Sequence, residues 1–126
     1  MGELRLLFPI FIGGGLGAML RFGISILVVN NWKSFLPIAT LSANLLAILI
    51  MGLTLYYAES KMEAEPWLRA FVLIGFCGGL STFSTFSYET VLLLKGYHWA
   101  YALGNVLISV ILGVLVIYPF IRVLEK

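Results

Sequence analysis

The spacing of its apolar runs constrains this chain more than any other feature. Four runs, at about residues 4–29, 37–58, 67–94 and 97–121, are joined by short polar segments and take up nearly all of the 126 residues. A helix crosses the hydrocarbon core of a bilayer in about 20 predominantly apolar residues, and each run meets that length. Only 11% of the residues are charged and 61% are hydrophobic, whereas a soluble domain carries about 25% charged residues. So short a chain cannot hide that much apolar surface in a water-facing monomer. The expectation is an all-α, multi-pass membrane protein, one transmembrane domain over 1–126 with four spanning helices. No stretch is left for a soluble catalytic or nucleic-acid-binding domain, and the formal charge of +2 is spread without a basic block. Cys77 is the only cysteine and reads as a small packing residue, so no internal disulfide or thiol metal cluster is expected. His98 lies in a turn with no second His, Cys or Asp beside it, which argues no metal site.

The ends of the runs carry boundary signals. Asn30, Asn31, Trp32 and Lys33 read as a polar turn with an interfacial aromatic. Pro37 suits the first turn of the second helix. Tyr56 and Tyr57 lead into residues 59–66, the most polar segment, and Tyr97, Trp99 and Tyr101 mark the start of the fourth run. The first run is too long for a signal-peptide core and carries Arg21 deep within it, so it reads as a span. Four spans put both termini and the second loop on one side, with Arg5, Lys61, Arg69, Arg122 and Lys126; the other side holds Lys33 and Lys95. The termini therefore lean cytoplasmic, but weakly enough that insertion in both orientations is physically possible.

The third run is not uniform. Residues 75–87 read Gly-Phe-Cys-Gly-Gly-Leu-Ser-Thr-Phe-Ser-Thr-Phe-Ser, three glycines followed by five hydroxyl side chains in what should be mid-membrane. Glycine costs about 1 kcal/mol relative to alanine inside a helix, and the helix is expected to open at Gly78-Gly79. Opening leaves backbone groups unpaired, each costing several kcal/mol in hydrocarbon, which is tolerated only where protein or a water-filled cavity covers them. The hydroxyls of Ser81, Thr82, Ser84, Thr85 and Ser87 supply partners. Broken helices are how channels and transporters expose backbone dipoles to ions; a small-residue packing interface is the competing reading. Phe83 and Phe86, three apart, share a face of the resumed helix; an aromatic ring is electropositive at its edge, while the pair taken alone also reads as lipid-facing or packed.

Other polar positions admit two readings each. Asn44, inside the second span, is either interhelical glue or a donor lining a pore. Tyr101, Asn105, Ser109 and Gly113 recur every four residues and form either a polar track or a packing stripe on the fourth helix. Arg21 either snorkels or raises the positive potential of a vestibule. Glu89 reads as interfacial. Gly13 and Gly17, with Ala39, Ala43 and Ala47, read as close-packing positions.

The segments at 13–22 (Gly-Gly-Gly-Leu-Gly-Ala-Met-Leu-Arg-Phe), 44–52 (Asn-Leu-Leu-Ala-Ile-Leu-Ile-Met-Gly), 75–89 (the broken span through Tyr-Glu) and 105–109 (Asn-Val-Leu-Ile-Ser) resemble the bacterial Fluc-type fluoride channels along the whole chain. The third-span motif is the most specific of these. The resemblance implies a dual-topology, antiparallel homodimer in the cell (inner) membrane, with two fluoride pores and a central sodium ion. It implies that Phe83 and Phe86 meet fluoride with their ring edges and that Asn44 is the pore asparagine. Ser84, Tyr101, Asn105 and Ser109 would belong to the polar track. The carbonyls of Gly78 and Ser81 would hold the sodium, and Arg21 would sit at the vestibule. Ser81 stands where many members carry threonine, a difference without consequence for a carbonyl ligand.

The implied role is passive fluoride efflux, with no catalysis. Fluoride is small and strongly hydrated, so a pore must replace its water with donors and electropositive edges without holding it too tightly to leave. Two other classes compete. A small multidrug-type proton-coupled exporter needs a membrane-embedded carboxylate, typically in its first span, and none is present there. A purely structural membrane subunit would not need a broken third span.

Overall fold

The computed structural model describes residues 3–31 and 37–124, all of them helix or short connection, with no strand among them. The Trp32–Lys33 part of the first polar turn, and Lys126, lie outside the described residues. A 3-10 turn (Glu3–Leu6) leads into α1 (Leu7–Asn31), and α2 (Ile38–Ala64) follows, with Pro37 one residue ahead of it as the cap. The third span begins as α3 (Pro66–Arg69), widens into a π-helical segment (Ala70–Cys77), tightens again as α4 (Gly78–Leu80), breaks, and resumes as α5 (Phe83–Lys95). The last helix is α6 (Trp99–Leu124). Among the described residues, four helical spans are long and apolar enough to cross a membrane: Glu3–Asn31, Ile38–Glu59, Pro66–Lys95 and Trp99–Leu124.

Two pairs of glycines set how the first and third spans meet. Gly13 and Gly17 of α1 are buried, as is Gly75 opposite them. A β-carbon on Gly13 would collide with the Phe71 carbonyl oxygen, and one on Gly17 with that of Phe76. The fit is reciprocal: a β-carbon on Gly75 would lie 2.8 Å from the Ile10 carbonyl oxygen, and one on Gly79 would strike that of Gly14. Small residues four apart on both helices thus bring backbone onto backbone, the usual basis of helix association where lipid offers no hydrophobic drive. The π segment contributes to the match. Phe71 and Phe76, five residues apart, both present backbone atoms to Gly13. An α-helix would turn them well away from each other at its 3.6 residues per turn, whereas an i→i+5 turn brings them onto one face.

This packing relocates the break. The sequence places the opening at Gly78-Gly79, but both residues stay helical and the chain becomes extended at Ser81 (φ −78°, ψ 157°) and Thr82 (φ −153°, ψ 123°). Gly79 is needed for contact with α1, not for backbone freedom. The Thr82 side chain then caps α5 by accepting the Thr85 N–H at 3.2 Å, a type of cap worth about 1 kcal/mol.

Elsewhere α2 packs along α6. Gly113 lies against Ile48, and Gly52 fits under the Phe120 ring. Ala43 and Ala47 of α2 meet Leu80 in a buried apolar cluster, with Ile24, Leu46, Ile50 and Phe76 around it. Outward the protein is apolar: in α6 only Ala102 and Gly113 are buried. Such a surface suits lipid or protein and not water.

Candidate functional site

Opening a helix in mid-span strands backbone groups, and Asn44 of α2 receives them. The Thr82 N–H donates to Asn44 Oδ1 at 2.7 Å, and Asn44 Nδ2 donates to the Thr82 carbonyl at 3.4 Å. In an unbroken helix that N–H would bond to the Gly78 carbonyl, so the amide of Asn44 takes its place and the Gly78 carbonyl loses its helical donor. Ser81 turns back on its own helix, with both its N–H (3.0 Å) and its hydroxyl (2.9 Å) donating to the Cys77 carbonyl. Arg21 of α1 holds the next carbonyl, with Nε donating to Gly79 at 3.2 Å. Helix α4 therefore ends with a guanidinium at its carbonyl end, the arrangement favoured by the helix dipole.

Among the described residues, three cavities lie at the break or beside it. The first, of about 340 Å³, is lined by Asn44, Ser81, Thr82, Phe83, Phe86 and Ser109, with Leu41, Leu45, Ile48 and Val110. The rings of Phe83 and Phe86 stand 5.9 Å apart, tilted by 36°, and Phe83 is 79% exposed. The second, of about 330 Å³, is lined by Tyr101, Asn105 and neighbours including Leu41, which borders both. Asn105 Nδ2 donates to the Thr90 hydroxyl at 2.9 Å, which donates to the Phe86 carbonyl at 2.8 Å. The fourth-helix stripe thus divides. Ser109 joins the phenylalanines, Asn105 and Tyr101 line the adjoining space, and Gly113 serves packing against α2. The third cavity, of about 200 Å³, lies across Thr82 from the first. Arg21, Ser25, Thr40, Thr82 and Thr85 line it with Ala18 and Phe22.

A family model described as CrcB-like protein, Camphor Resistance (CrcB), matches residues 8–119. The chain belongs to the CrcB family. Among its relatives, it is 42% identical over 104 residues to a protein of Yersinia pestis named fluoride-specific ion channel FluC 1, covering 82% of this chain and 81% of the relative. It is 41% identical over 103 residues to the fluoride-specific ion channel FluC of Serratia proteamaculans, covering 82% and 80%. A protein of the same name from Salmonella arizonae is 42% identical over 108 residues, covering 86% and 84%. The protein is thus a multi-pass membrane protein of the CrcB family and not an enzyme.

Within this CrcB chain the structure brings Asn44, Phe83, Phe86 and Ser109 to one cavity and Tyr101 and Asn105 to the next. Ser84 lines neither; it is exposed, with its hydroxyl 3.1 Å from that of Thr82. Arg21 does not simply snorkel, because its guanidinium is tied to Gly79. Glu89 lies half-buried within α5, accepting from the Thr40 hydroxyl at 2.9 Å near the start of α2, while its Oε2 is buried without a partner among the described residues. This face of α5 leans on the start of α2. Sequence reading did not single out Thr40, Thr82 or Thr90 as site residues. Thr40 lies four before Asn44, and Thr90 four after Phe86, so helical spacing from the chosen residues was the available signal.

Proposed function

We propose that this chain is one protomer of a fluoride-selective channel that lets fluoride leave the cell passively, and that two oppositely inserted copies make the channel. The observation that carries the reading is the break seated on Asn44. It places the N-terminus of α5, an amide donor, two aromatic rings and the Ser109 hydroxyl around one cavity with no charged side chain in its lining. The start of α5, a helix of 13 residues, carries unsatisfied N–H groups and the positive end of its dipole, which favour an anion. Ring edges of Phe83 and Phe86 add weak electropositive contact. Hydroxyl and amide donors of Ser109, Asn105 and Tyr101 continue the path past Leu41 as the polar track. Such donors replace water around fluoride, and the lack of a fixed cation in the path lets the ion go on. Arg21, across Thr82 on the other side, supplies positive potential at the vestibule without standing in the narrow part. Ser84 joins the entry through its hydroxyl contact with Thr82. The names of the relatives, fluoride-specific ion channels, support the choice of ion.

The dimer reading rests on an incomplete wall. Phe83 is 79% exposed on a single copy, and a second copy covers it in an antiparallel pair. The weak lysine and arginine bias permits that opposite insertion. The residues also fit the sodium ion of this family. The Gly78 carbonyl is stripped of its helical donor, Ser81 is extended beside it, and both offer the hard oxygen that such a cation takes. These two carbonyls from each copy would hold it, and when bound it supplies fixed positive charge at the end of α4.

Purified protein in fluoride-loaded liposomes tests the function. Fluoride should leave passively, chloride far more slowly, with no proton gradient required. Equal rates for the two halides, or strict dependence on a proton gradient, would refute it. The proton-coupled exporter has nothing to rest on, since α1 (Leu7–Asn31) carries no carboxylate and the family is a different one.

A further inference from the structure

We infer that Asn44 serves both ions through opposite ends of its amide: its oxygen positions the cation-binding carbonyl by holding the third helix open, while its nitrogen serves the fluoride path. The inference rests on the channel and sodium readings above and adds a coupling between them. Its basis is the asymmetry of the two bonds to Thr82. The contact of the Thr82 N–H with Asn44 Oδ1 is short, at 2.7 Å, and that of Nδ2 with the Thr82 carbonyl is long, at 3.4 Å. The first lies at the strong end for an N–H···O bond and the second beyond the usual range. Oxygen is therefore committed to the backbone, whereas the NH₂ group has two hydrogens and only a weak claim on either. Asn44 also lines the cavity of Phe83, Phe86 and Ser109, so its nitrogen has an anion to serve there.

The consequence runs through the backbone. Thr82 N–H has two possible acceptors, the Gly78 carbonyl of a continuous helix and Asn44 Oδ1. Remove the second and the first reclaims the proton, since an unpaired N–H in the membrane costs several kcal/mol. Helix then propagates through Ser81 and Thr82, and the Gly78 carbonyl turns from a cation ligand into an ordinary helical acceptor. Arg21 does not prevent this, because it holds the neighbouring Gly79 carbonyl. Asn44 is thus a positioning residue for a cation it does not touch.

Two variants separate the ends of the amide. Asn44→Asp keeps an oxygen that accepts from Thr82 but replaces the donor with a carboxylate; Asn44→Ala removes both. Two readouts are taken on the reconstituted dimer: fluoride efflux, and the rise in thermal stability on replacing N-methylglucamine with sodium. The expected pattern is loss of efflux in both variants, with the sodium-dependent stabilisation lost in Asn44→Ala and kept in Asn44→Asp. If Asn44→Ala does not assemble, Asn44→Ser, whose hydroxyl is one atom short of the Thr82 amide, takes its place with the same expectations. A wild-type sodium response in the alanine or serine variant overturns the inference, as does its loss in a folded aspartate variant. A wild-type protein that conducts fluoride but shows no sodium response overturns the coupling and leaves the channel reading standing. A wild-type protein that conducts no fluoride overturns both.

Discussion

Replacing Gly17 by alanine should be far more damaging than one methyl group suggests. The added β-carbon would collide with the Phe76 carbonyl oxygen and sit 2.7 Å from Leu80 N and 3.1 Å from the Gly79 carbonyl carbon. All three neighbours are backbone, so none yields by a change of rotamer. To bring Leu80 N from 2.7 Å out to the 3.4 Å at which ordinary contact begins, α4 must retreat by about 0.7 Å. That retreat carries Gly79 away from Arg21, one helical turn along α1, and stretches a hydrogen bond already at 3.2 Å beyond its useful range. Overpacking costs about 1–3 kcal/mol, and a lost hydrogen bond to a charged group about 1.5–3 kcal/mol. Alanine recovers up to about 1 kcal/mol in helix propensity. The net expectation is destabilisation by about 3 kcal/mol, roughly a hundredfold in the folding equilibrium. Reversible unfolding of the solubilised protein in mixed micelles measures it, with Gly15→Ala and Gly23→Ala as controls, since a β-carbon at either meets nothing within 4 Å. If Gly17→Ala falls within about 0.5 kcal/mol of those controls, the glycine lock between α1 and the third span does not exist as described.

Isoleucine at Phe83 or Phe86 keeps the site apolar and of similar bulk but removes the polarised ring edge; either change should cut fluoride flux sharply while gel filtration still shows dimer, and wild-type flux from both would remove the aromatic-edge mechanism. Thr82→Val should cost about 1 kcal/mol in thermal unfolding by uncapping the Thr85 amide, and Thr82→Ser should restore most of it; equal stability of the two would deny the cap. A tag at the C-terminus should be labelled from outside intact cells on a portion of the copies, and complete protection would end the dual-topology proposal.

Helical membrane architecture was legible because it depends on run length and hydrophobicity, which are local properties. Pro37 stands at the start of α2 as expected, but that helix runs on to Ala64 through most of the polar residues 59–66. That the third span breaks was also legible, since hydroxyls after glycines in mid-membrane have few other uses. Family resemblance marked Asn44, Phe83, Phe86, Ser109 and Asn105, which the fold distributes over two adjoining cavities.

Where the helix breaks was decided only in three dimensions. Glycine at 78 and 79 has two uses, conformational freedom and close approach, and the sequence cannot separate them. In the structure α1 fills the space beside Gly79 with backbone, so the opening moves to Ser81–Thr82, where Asn44 from a distant helix supplies the missing partner. The partner of Glu89 was set in the same way: Thr40, 49 residues earlier, lies across from it. Apolar run lengths determined that this chain crosses a membrane in four helices, because the cost of burying a polar group is paid residue by residue. Which backbone groups are freed for ions was decided by side chains from other helices, because a hydrogen bond is a contact in space that sequence spacing does not encode.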